Sequence, residues 1–417
     1  MRKRLFGFLL IVPVCLFSQP DTTQHIVPGR KNSPAQQQKP YVILISADAF
    51  RHDFAEKFQA THLQQLSKGG VAAKGMIPSY PTLTFPNHYT IATGLYPSHH
   101  GLVDNTFYDQ QKKQLYRIGN RSAVEDGSWY GGTPIWVLAE EQEMISACFY
   151  WVGSEAAVKG IRPTYYYRYS ELIDMDKRIA VVKNWLTLPE DIRPHLVTFY
   201  MSDVDHEAHD HGPDSKEAGE AVHFIEAAVS RLVSLTDSLQ LPVNFVFVSD
   251  HGMTTVDTTR FVELPAAADT SKFFIPTSEE MLHLYAKDKK FVQPAYKALK
   301  KQAKDYDVYK LSQTPSRWHY SDKDDWYKRA GDLLLVPKWP KIFNIRKRRV
   351  SPGQHGFDNA LPDMKASFYA WGPAFKQNMT IEAFENVHVY PLIAKILGLT
   401  ITEKIDGRLD VLLPILR

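Results

Sequence analysis

The sequence predicts an α/β fold, and three apolar segments carry the prediction. Residues 41–46 (YVILIS), 195–202 (HLVTFYMS) and 243–249 (VNFVFVS) are rich in β-branched and aromatic residues and lack polar alternation. Such strands are buried on both faces, as in a mostly parallel sheet flanked by helices. Residues 215–240 have the apolar spacing of an amphipathic helix and separate the last two strands. We therefore predict one large domain over residues 41–417, with a smaller, less regular insertion at about 265–350.

The amino terminus predicts export. Residues 1–18 begin with basic side chains at positions 2–4, continue with an apolar run from Leu5 to Phe17, and end in Ser18, as a secretory signal peptide does. The run is shorter than the roughly 20 residues that span a bilayer, so we expect no stable membrane span. Residues 19–40 are polar and rich in Gln and Pro, which predicts a flexible linker.

Composition narrows the function classes. The chain has 417 residues, of which 44% are hydrophobic and 23% charged, as in a globular protein with a substantial core. Cleavage after residue 18 would take the formal net charge from +3 to zero, so we expect no specific nucleic-acid partner. Cys148 would then be the single cysteine, and export without a disulfide favours a bacterial periplasm. The composition leaves the oligomeric state open.

Acidic residues follow all three predicted strands. Asp48 follows the first, Asp203 and Asp205 the second, and Asp250 with His251 the third. Ligands of open α/β sheets gather at the carboxyl ends of the strands. A single aspartate there is more often a turn or helix cap, but three acidic strand ends favour a metal site.

Residues 202–213 (SDVDHEAHDHGP) hold more candidate ligands than one site needs. Several pairs lie four residues apart and could share a helical face, so spacing alone does not choose among them. The candidates are Asp203, Asp205, His206, Glu207, His209, Asp210 and His211. A solvated polar loop is the alternative interpretation.

Thr84 is a candidate nucleophile. Residues 78–97 (PSYPTLTFPNHYTIATGLYP) predict a short helix that starts near Phe85 and ends before Gly94. Thr84 then lies at the helix amino terminus, where unpaired N–H groups favour a phosphate, although a simple N-cap is the alternative. A hydroxyl needs activation at neutral pH, and a divalent metal could supply it. We interpret His88 as helix packing.

An ordered set of motifs runs through nearly the whole predicted mature chain: LISADAFR, PTLTFPNHYTIATGLYPSHHGLVDN, YWVGSE, DHEAHDHGP, SDHGM and GQHGFDN. The set resembles the nucleotide pyrophosphatase/phosphodiesterase family of the alkaline phosphatase superfamily. The resemblance implies an alkaline-phosphatase-like fold and two Zn²⁺ ions. It implies that one ion binds Asp205, His209 and His355, and that the other binds Asp48, Thr84, Asp250 and His251.

The resemblance also implies roles in substrate binding. Asn105 would hold a phosphate oxygen, helped by the backbone N–H of Thr84, and Phe85 and Tyr169 would stack on a nucleobase. Packing in the core or at the rim is the alternative for both rings. Val152 and Glu155 depart from the WPGSD sequence of many relatives, which leaves the nucleoside side of the pocket open.

Together with these residues, the resemblance implies a two-zinc phosphodiesterase that cleaves nucleotide phosphodiester and pyrophosphate bonds through a covalent phosphothreonine and releases nucleoside monophosphates. A lysophospholipid or glycerophosphocholine phosphodiesterase is the alternative enzyme, because such relatives share the metal set. A non-catalytic zinc-binding protein is the alternative of another class, although structural zinc sites favour cysteine-rich shells of four ligands.

Overall fold

A computed structural model describes residues 21–417, so the predicted signal peptide at 1–18 lies outside the described residues. Within this range the strands, in chain order, are β1 Gln24–Ile26, β2 Tyr41–Ala47, β3 Val71–Ala73, β4 Met76–Ile77, β5 Thr106–Asp109, β6 Gln114–Arg117, β7 Ser146–Phe149, β8 Tyr165–Tyr167, β9 Leu196–Met201, β10 Val243–Val248, β11 Thr254–Thr255, β12 Phe273–Phe274, β13 Leu282–Ala286, β14 Tyr306–Tyr309, β15 Leu333–Pro337, β16 Gly353–Gln354, β17 Phe368–Trp371, β18 Met379–Ile381 and β19 Phe384–Glu385.

Most α-helices of the same range connect, in sequence, strands of the large sheet. In chain order the helices are α1 Phe54–Lys57, α2 Thr61–Lys68, α3 Thr84–Thr93, α4 Pro97–His100, α5 Arg121–Val124, α6 Ile135–Glu141, α7 Met175–Leu186, α8 Asp203–His211, α9 Lys216–Ser238, α10 Val292–Gln302 and α11 Val389–Leu397. None of the helices in residues 21–417 has the length and apolar character needed to cross a membrane.

The central sheet has nine strands in the order β1-β8-β7-β9-β2-β10-β17-β3-β18. Strands β8, β7, β9, β2 and β10 run parallel to one another, whereas β1 and β17 pair antiparallel with their neighbours. Alternate residues of β2 enter two different cores, with Val42 and Leu44 on one face and Ile43 and Ile45 on the other. Burial on both faces explains the unbroken apolar run, and the predicted α/β fold with a mostly parallel sheet is confirmed.

Helix α9 covers one face of this sheet, close to the predicted range 215–240. The side chain of Ser215 caps it by accepting a hydrogen bond from the Ala218 N–H. Val222, Ile225 and Val229 are fully buried and recur at intervals of three and four residues, so they form one apolar face.

The segment predicted to be a flexible linker is partly ordered, and the prediction is wrong for residues 24–26. They form β1, which pairs antiparallel with β8 at the edge of the central sheet. Trp185 Nε1 also donates a 2.9 Å hydrogen bond to Gln24 Oε1. An edge strand joined through its backbone needs no apolar periodicity, so the polar composition did not reveal it.

The predicted insertion is more regular than expected. It contains a four-stranded antiparallel sheet in the order β12-β13-β15-β14. Leu282, Leu284, Leu333 and Leu335 form part of a separate core beneath this sheet, together with Leu299 of α10. The insertion therefore folds as a small layer of its own.

Candidate active site

The carboxyl ends of β9, β2 and β10 meet at one edge of the central sheet because the three strands are adjacent and parallel. Asp48 follows β2 directly, and Asp250 and His251 lie just beyond β10. Helix α8 begins after β9, and Asp205 and His209 lie one turn apart on it. His355 reaches the same edge from the end of β16.

These side chains form two overlapping groups that could hold metal ions. Asp205, His251 and His355 place one ligand atom each within 4.8 Å of one another, and so do Asp48, Asp250 and His251. His209 Nε2 lies 3.4 Å from Asp205 Oδ1, beside the first group. His251 thus lies within reach of both groups, whereas the resemblance implied that it binds one ion.

Three carboxylate oxygens at this edge are buried without a hydrogen-bond partner: Asp48 Oδ1, Asp205 Oδ1 and Asp250 Oδ2. Imidazole Nε2 atoms lie 3.0 to 3.7 Å from them. Buried polar atoms are almost always hydrogen-bonded, and an unpaired buried charge is costly. Cations bound among these oxygens and nitrogens would satisfy them, so the donor set fits metal binding.

The three histidines are oriented by the main chain. Nδ1 of His209 donates to the carbonyl of Gly353 at 2.8 Å, that of His251 to Gly252 at 2.9 Å, and that of His355 to Thr82 at 2.9 Å. In each bond Nδ1–H is the donor, so the Nε2 atom of each ring faces the carboxylates and is the nitrogen available to a metal. Metal-ligating histidines are usually held by such a bond.

Two groups of the cluster, Asp48 and His209, hold their protons more tightly than usual. Burial, with Asp250 and Asp205 nearby, raises the pKa of Asp48 well above its usual range. Burial opposes charge on His209, but the adjacent Asp205 carboxylate outweighs it and raises the pKa of His209 to about 9. Burial and the neighbouring imidazoles lower the pKa of His355 to about 3, so that ring is neutral.

Thr84 is the first residue of α3 and faces the same cluster. Its Oγ1 lies 3.2 Å from His251 Nε2. The first N–H groups of a helix have no intrahelical acceptor, so this end of α3 suits an anion. The structure thus brings the predicted nucleophile, Thr84, and the other six predicted metal-binding residues to one place.

Two further residues, His88 and Tyr200, contact the aspartates of the site, although the sequence alone did not place them there. His88, one helical turn after Thr84, lies 3.2 Å from Asp250 Oδ2 and 2.8 Å from Ser46 Oγ. The Tyr200 hydroxyl donates a 2.6 Å hydrogen bond to Asp48 Oδ2. The four-residue spacing of Thr84 and His88 was a usable signal, whereas a tyrosine within a strand offers none.

Asn105 lies beside the start of α3. Its Oδ1 accepts the Phe85 N–H at 3.1 Å, which leaves the side-chain NH₂ group free to donate to a phosphate oxygen. Phe85 is partly buried and packs against the core, with its ring 6.4 Å from that of Tyr116.

Tyr169 lies at the rim, 41% exposed, and its hydroxyl contacts Ser202 Oγ at 3.3 Å. Glu155 positions it, because Glu155 Oε1 accepts the Tyr169 N–H at 2.7 Å. Phe85 and Tyr169 make no ring contact with each other in the described part of the chain, and base stacking by them stays a prediction.

The remaining candidates of residues 202–213 lie outside the two groups. His206 is exposed and faces Glu171 at 3.8 Å, and Glu207 pairs with His211 at 3.6 Å on the outer face of α8. Asp203 occupies the first position of α8, and Asp210 is exposed. One face of the helix therefore presents Asp205 and His209, and the other faces solvent.

A mostly parallel sheet with buried acidic and histidine side chains at its carboxyl edge, next to a threonine at a helix amino terminus, defines an alkaline-phosphatase-like α/β protein with a candidate metal centre. Residues 42–358 match the family model of type I phosphodiesterase / nucleotide pyrophosphatase, and the chain belongs to this family.

Similarity to known proteins extends over most of the chain. This chain is 33% identical over 381 residues to mouse ectonucleotide pyrophosphatase/phosphodiesterase family member 1. The match covers 88% of this chain and 42% of the relative. The chain is 31% identical to human member 5 of that family, covering 87% of this chain and 75% of the relative. The chain spans less than half the length of the first curated relatives it matches.

Solved structures show the same fold. Murine ectonucleotide pyrophosphatase / phosphodiesterase 5 superposes with a TM-score of 0.84 at 29% identity, covering 90% of this chain and 100% of that one. An inactive threonine-to-alanine variant of the murine protein, in complex with AMP, matches with the same TM-score of 0.84 over 91% of this chain.

Proposed function

We propose that the protein is a two-zinc phosphodiesterase that hydrolyses phosphodiester and pyrophosphate bonds of nucleotides and releases nucleoside monophosphates. The observation that carries the proposal is the set of unpaired buried carboxylate oxygens and free Nε2 atoms beside the Thr84 hydroxyl. Family membership supports it, and so does the AMP complex of the inactive murine variant.

The donor atoms suit zinc, which accepts imidazole nitrogen and carboxylate oxygen. Asp205, His209 and His355 would hold one ion. Asp48, Asp250 and His251 would hold the other, together with the Thr84 hydroxyl. When bound, the ions supply positive charge that lowers the pKa of a hydroxyl and stabilises negative charge developing on oxygen.

Thr84 acts as the nucleophile in this proposal. The Thr84 hydroxyl loses its proton to solvent and a bond forms between Oγ1 and phosphorus while the bond from phosphorus to the leaving oxygen breaks, which gives a covalent nucleotidyl phosphothreonine. Water then cleaves this ester, releases a nucleoside monophosphate and restores the hydroxyl. The Asn105 NH₂ group and the backbone N–H of Thr84 would donate to the non-bridging phosphate oxygens.

The decisive experiment replaces Thr84. We expect Thr84→Ala to retain its zinc and to lose turnover of the nitrophenyl ester of thymidine monophosphate by several orders of magnitude, whereas Thr84→Ser keeps measurable turnover. Zinc content is measured by elemental analysis on the same preparations. A zinc-loaded Thr84→Ala protein with undiminished turnover would reject the proposal. Glycerophosphocholine, assayed in parallel, should give the lower kcat/KM.

Export to a bacterial periplasm is part of the proposal. Expression of the full chain in a Gram-negative host should yield a periplasmic protein whose first residue follows Ser18 or lies close to it. Recovery of the uncleaved chain from the cytoplasm would contradict this.

A further inference from the structure

We propose that an arginine-lined pocket beside Asn105 binds the phosphate chain of the leaving group and so selects nucleoside polyphosphates among possible substrates. The inference rests on the proposed function, which it deepens. The pocket has a volume of about 590 Å³, within the range of small-molecule sites. Its lining includes Arg117, Arg121 and Arg346 together with Thr106 and Thr277.

The pocket begins one residue from the proposed phosphate-binding amide. Thr106 follows Asn105 directly, and consecutive Cα atoms are about 3.8 Å apart. Thr106 pairs across the β5–β6 hairpin with Arg117, and the Ile118 N–H donates to the Asn105 carbonyl at 3.2 Å. A chain of phosphates that starts at Asn105 could therefore continue along this hairpin.

The charge of the pocket suits phosphate. No acidic residue lines it, and among residues 21–417 Arg121 is the one arginine of the lining that pairs with a carboxylate, that of Glu125, at 2.7 Å. Arg117 and Arg346 have no carboxylate within 4.0 Å among residues 21–417. Arg346 hydrogen-bonds to Thr277 Oγ1, which holds its side chain at the pocket. Guanidinium groups bind phosphate through paired N–H donors.

The composition of the lining argues against a nucleobase in this pocket. No aromatic ring lines it, whereas base binding usually uses an aromatic stacking partner. Tyr169, the exposed ring at the rim of the site, lies outside the lining. The phosphate chain is thus the part of a nucleotide that this surface fits.

The pocket also assigns a role to the insertion. Arg117 comes from the hairpin of the main domain, whereas Thr277 and Arg346 come from the segment 265–350. The main domain alone would provide Arg117 and Arg121, and the insertion adds the third guanidinium group, that of Arg346. We infer that the insertion completes a leaving-group site that the main domain leaves open.

The test compares two substrates that transfer the same thymidine monophosphate group. In the nitrophenyl ester the leaving group is an aromatic phenolate, and in thymidine triphosphate it is pyrophosphate. We expect Arg117→Ala and Arg346→Ala each to lower the ratio of kcat/KM for the triphosphate to kcat/KM for the ester by about tenfold to a hundredfold. Arg349→Ala, which removes the same charge from the same basic run outside the pocket, should keep the wild-type ratio.

Each outcome decides one question. If the zinc-loaded wild-type protein cleaves neither substrate, the proposed function fails. If it cleaves the ester and both pocket variants keep the wild-type ratio, the inference fails while the proposed function stands. An equal fall in the ratio for Arg349→Ala would also overturn it, because the effect would then be general charge rather than this pocket.

Discussion

The Tyr200 hydroxyl holds one oxygen of Asp48 at 2.6 Å, while the other oxygen, Oδ1, is buried without a hydrogen-bond partner. The hydrogen bond fixes the carboxylate plane and directs Oδ1 toward His251 and Asp250. A carboxylate held on one side is prepared to bind a cation on the other.

Removal of this hydroxyl should weaken metal binding. We expect Tyr200→Phe to lower zinc affinity by about 10- to 100-fold, since it leaves Asp48 less well oriented. Competition with a chromogenic chelator measures the affinity. The control is Tyr165→Phe, which removes a hydroxyl bonded to the Ile192 carbonyl at 3.0 Å, away from the site. Equal zinc affinities in Tyr200→Phe and wild type would show that Tyr200 does not orient a ligand.

Zinc binding to the metal-free protein should release protons. The pKa of His209 is raised to about 9, so at pH 7.5 the ring carries a proton that must leave before Nε2 can bind a metal. Burial also raises the pKa of Asp48, so this carboxyl group is a second source of released protons. Calorimetric titration in two buffers of different ionisation enthalpy should give different heats, and His209→Ala should release about one proton fewer. Identical heats in the two buffers would contradict the protonated state.

Asn105 should contribute to transition-state stabilisation. We expect Asn105→Ala to lower kcat for the nitrophenyl ester by about 10²- to 10³-fold, as loss of one donor to a developing oxyanion does, with zinc content unchanged. Asn184→Ala, at an exposed position on α7, provides the matched control. A change confined to KM would instead indicate uniform substrate binding.

Glu280 should make the stability of the metal-free protein depend on pH. Burial, with Glu279 and Asp104 nearby, raises its pKa from 4.5 to about 8. The folded state therefore holds a proton between these values that the unfolded state has lost, and the free energy of unfolding falls as pH rises through this window. Glu280→Gln should lose less stability than wild type between pH 5 and about pH 9, measured by urea unfolding.

Glu382→Gln provides the comparison for that experiment, because Glu382 is exposed and pairs with Lys74 at the surface. Its pH dependence should follow the wild type. Parallel curves for Glu280→Gln and wild type would mean that Glu280 ionises normally.

The parts of the fold that the sequence predicted are those with a strong local signal. Residues buried on both faces of the sheet, such as Val42 and Ile43, give an unbroken apolar run that fixes a strand. Pro86 near the start and Gly94 beyond the end bound α3 and place Thr84 at its first position. The strand ends then located Asp48, Asp205 and Asp250.

The parts that escaped depend on contacts between distant segments. β12 has two residues and β1 has three, and both are fixed by backbone pairing with strands elsewhere. The choice of Asp205 and His209 within residues 202–213 came from the resemblance, because the competing pairs have the same spacing. The position of His251 between the two groups, and the pocket completed by Arg346, arise only once the chain is folded.

The carbonyl acceptors behind His209, His251 and His355 belong to Gly353, Gly252 and Thr82, and every one of them is a main-chain atom. Side-chain replacement at those three positions cannot delete an acceptor, because the path of the backbone alone fixes which ring nitrogen donates. The orientation of these three rings therefore offers mutagenesis no acceptor side chain to remove, whereas the orientation of Asp48 can be changed at Tyr200.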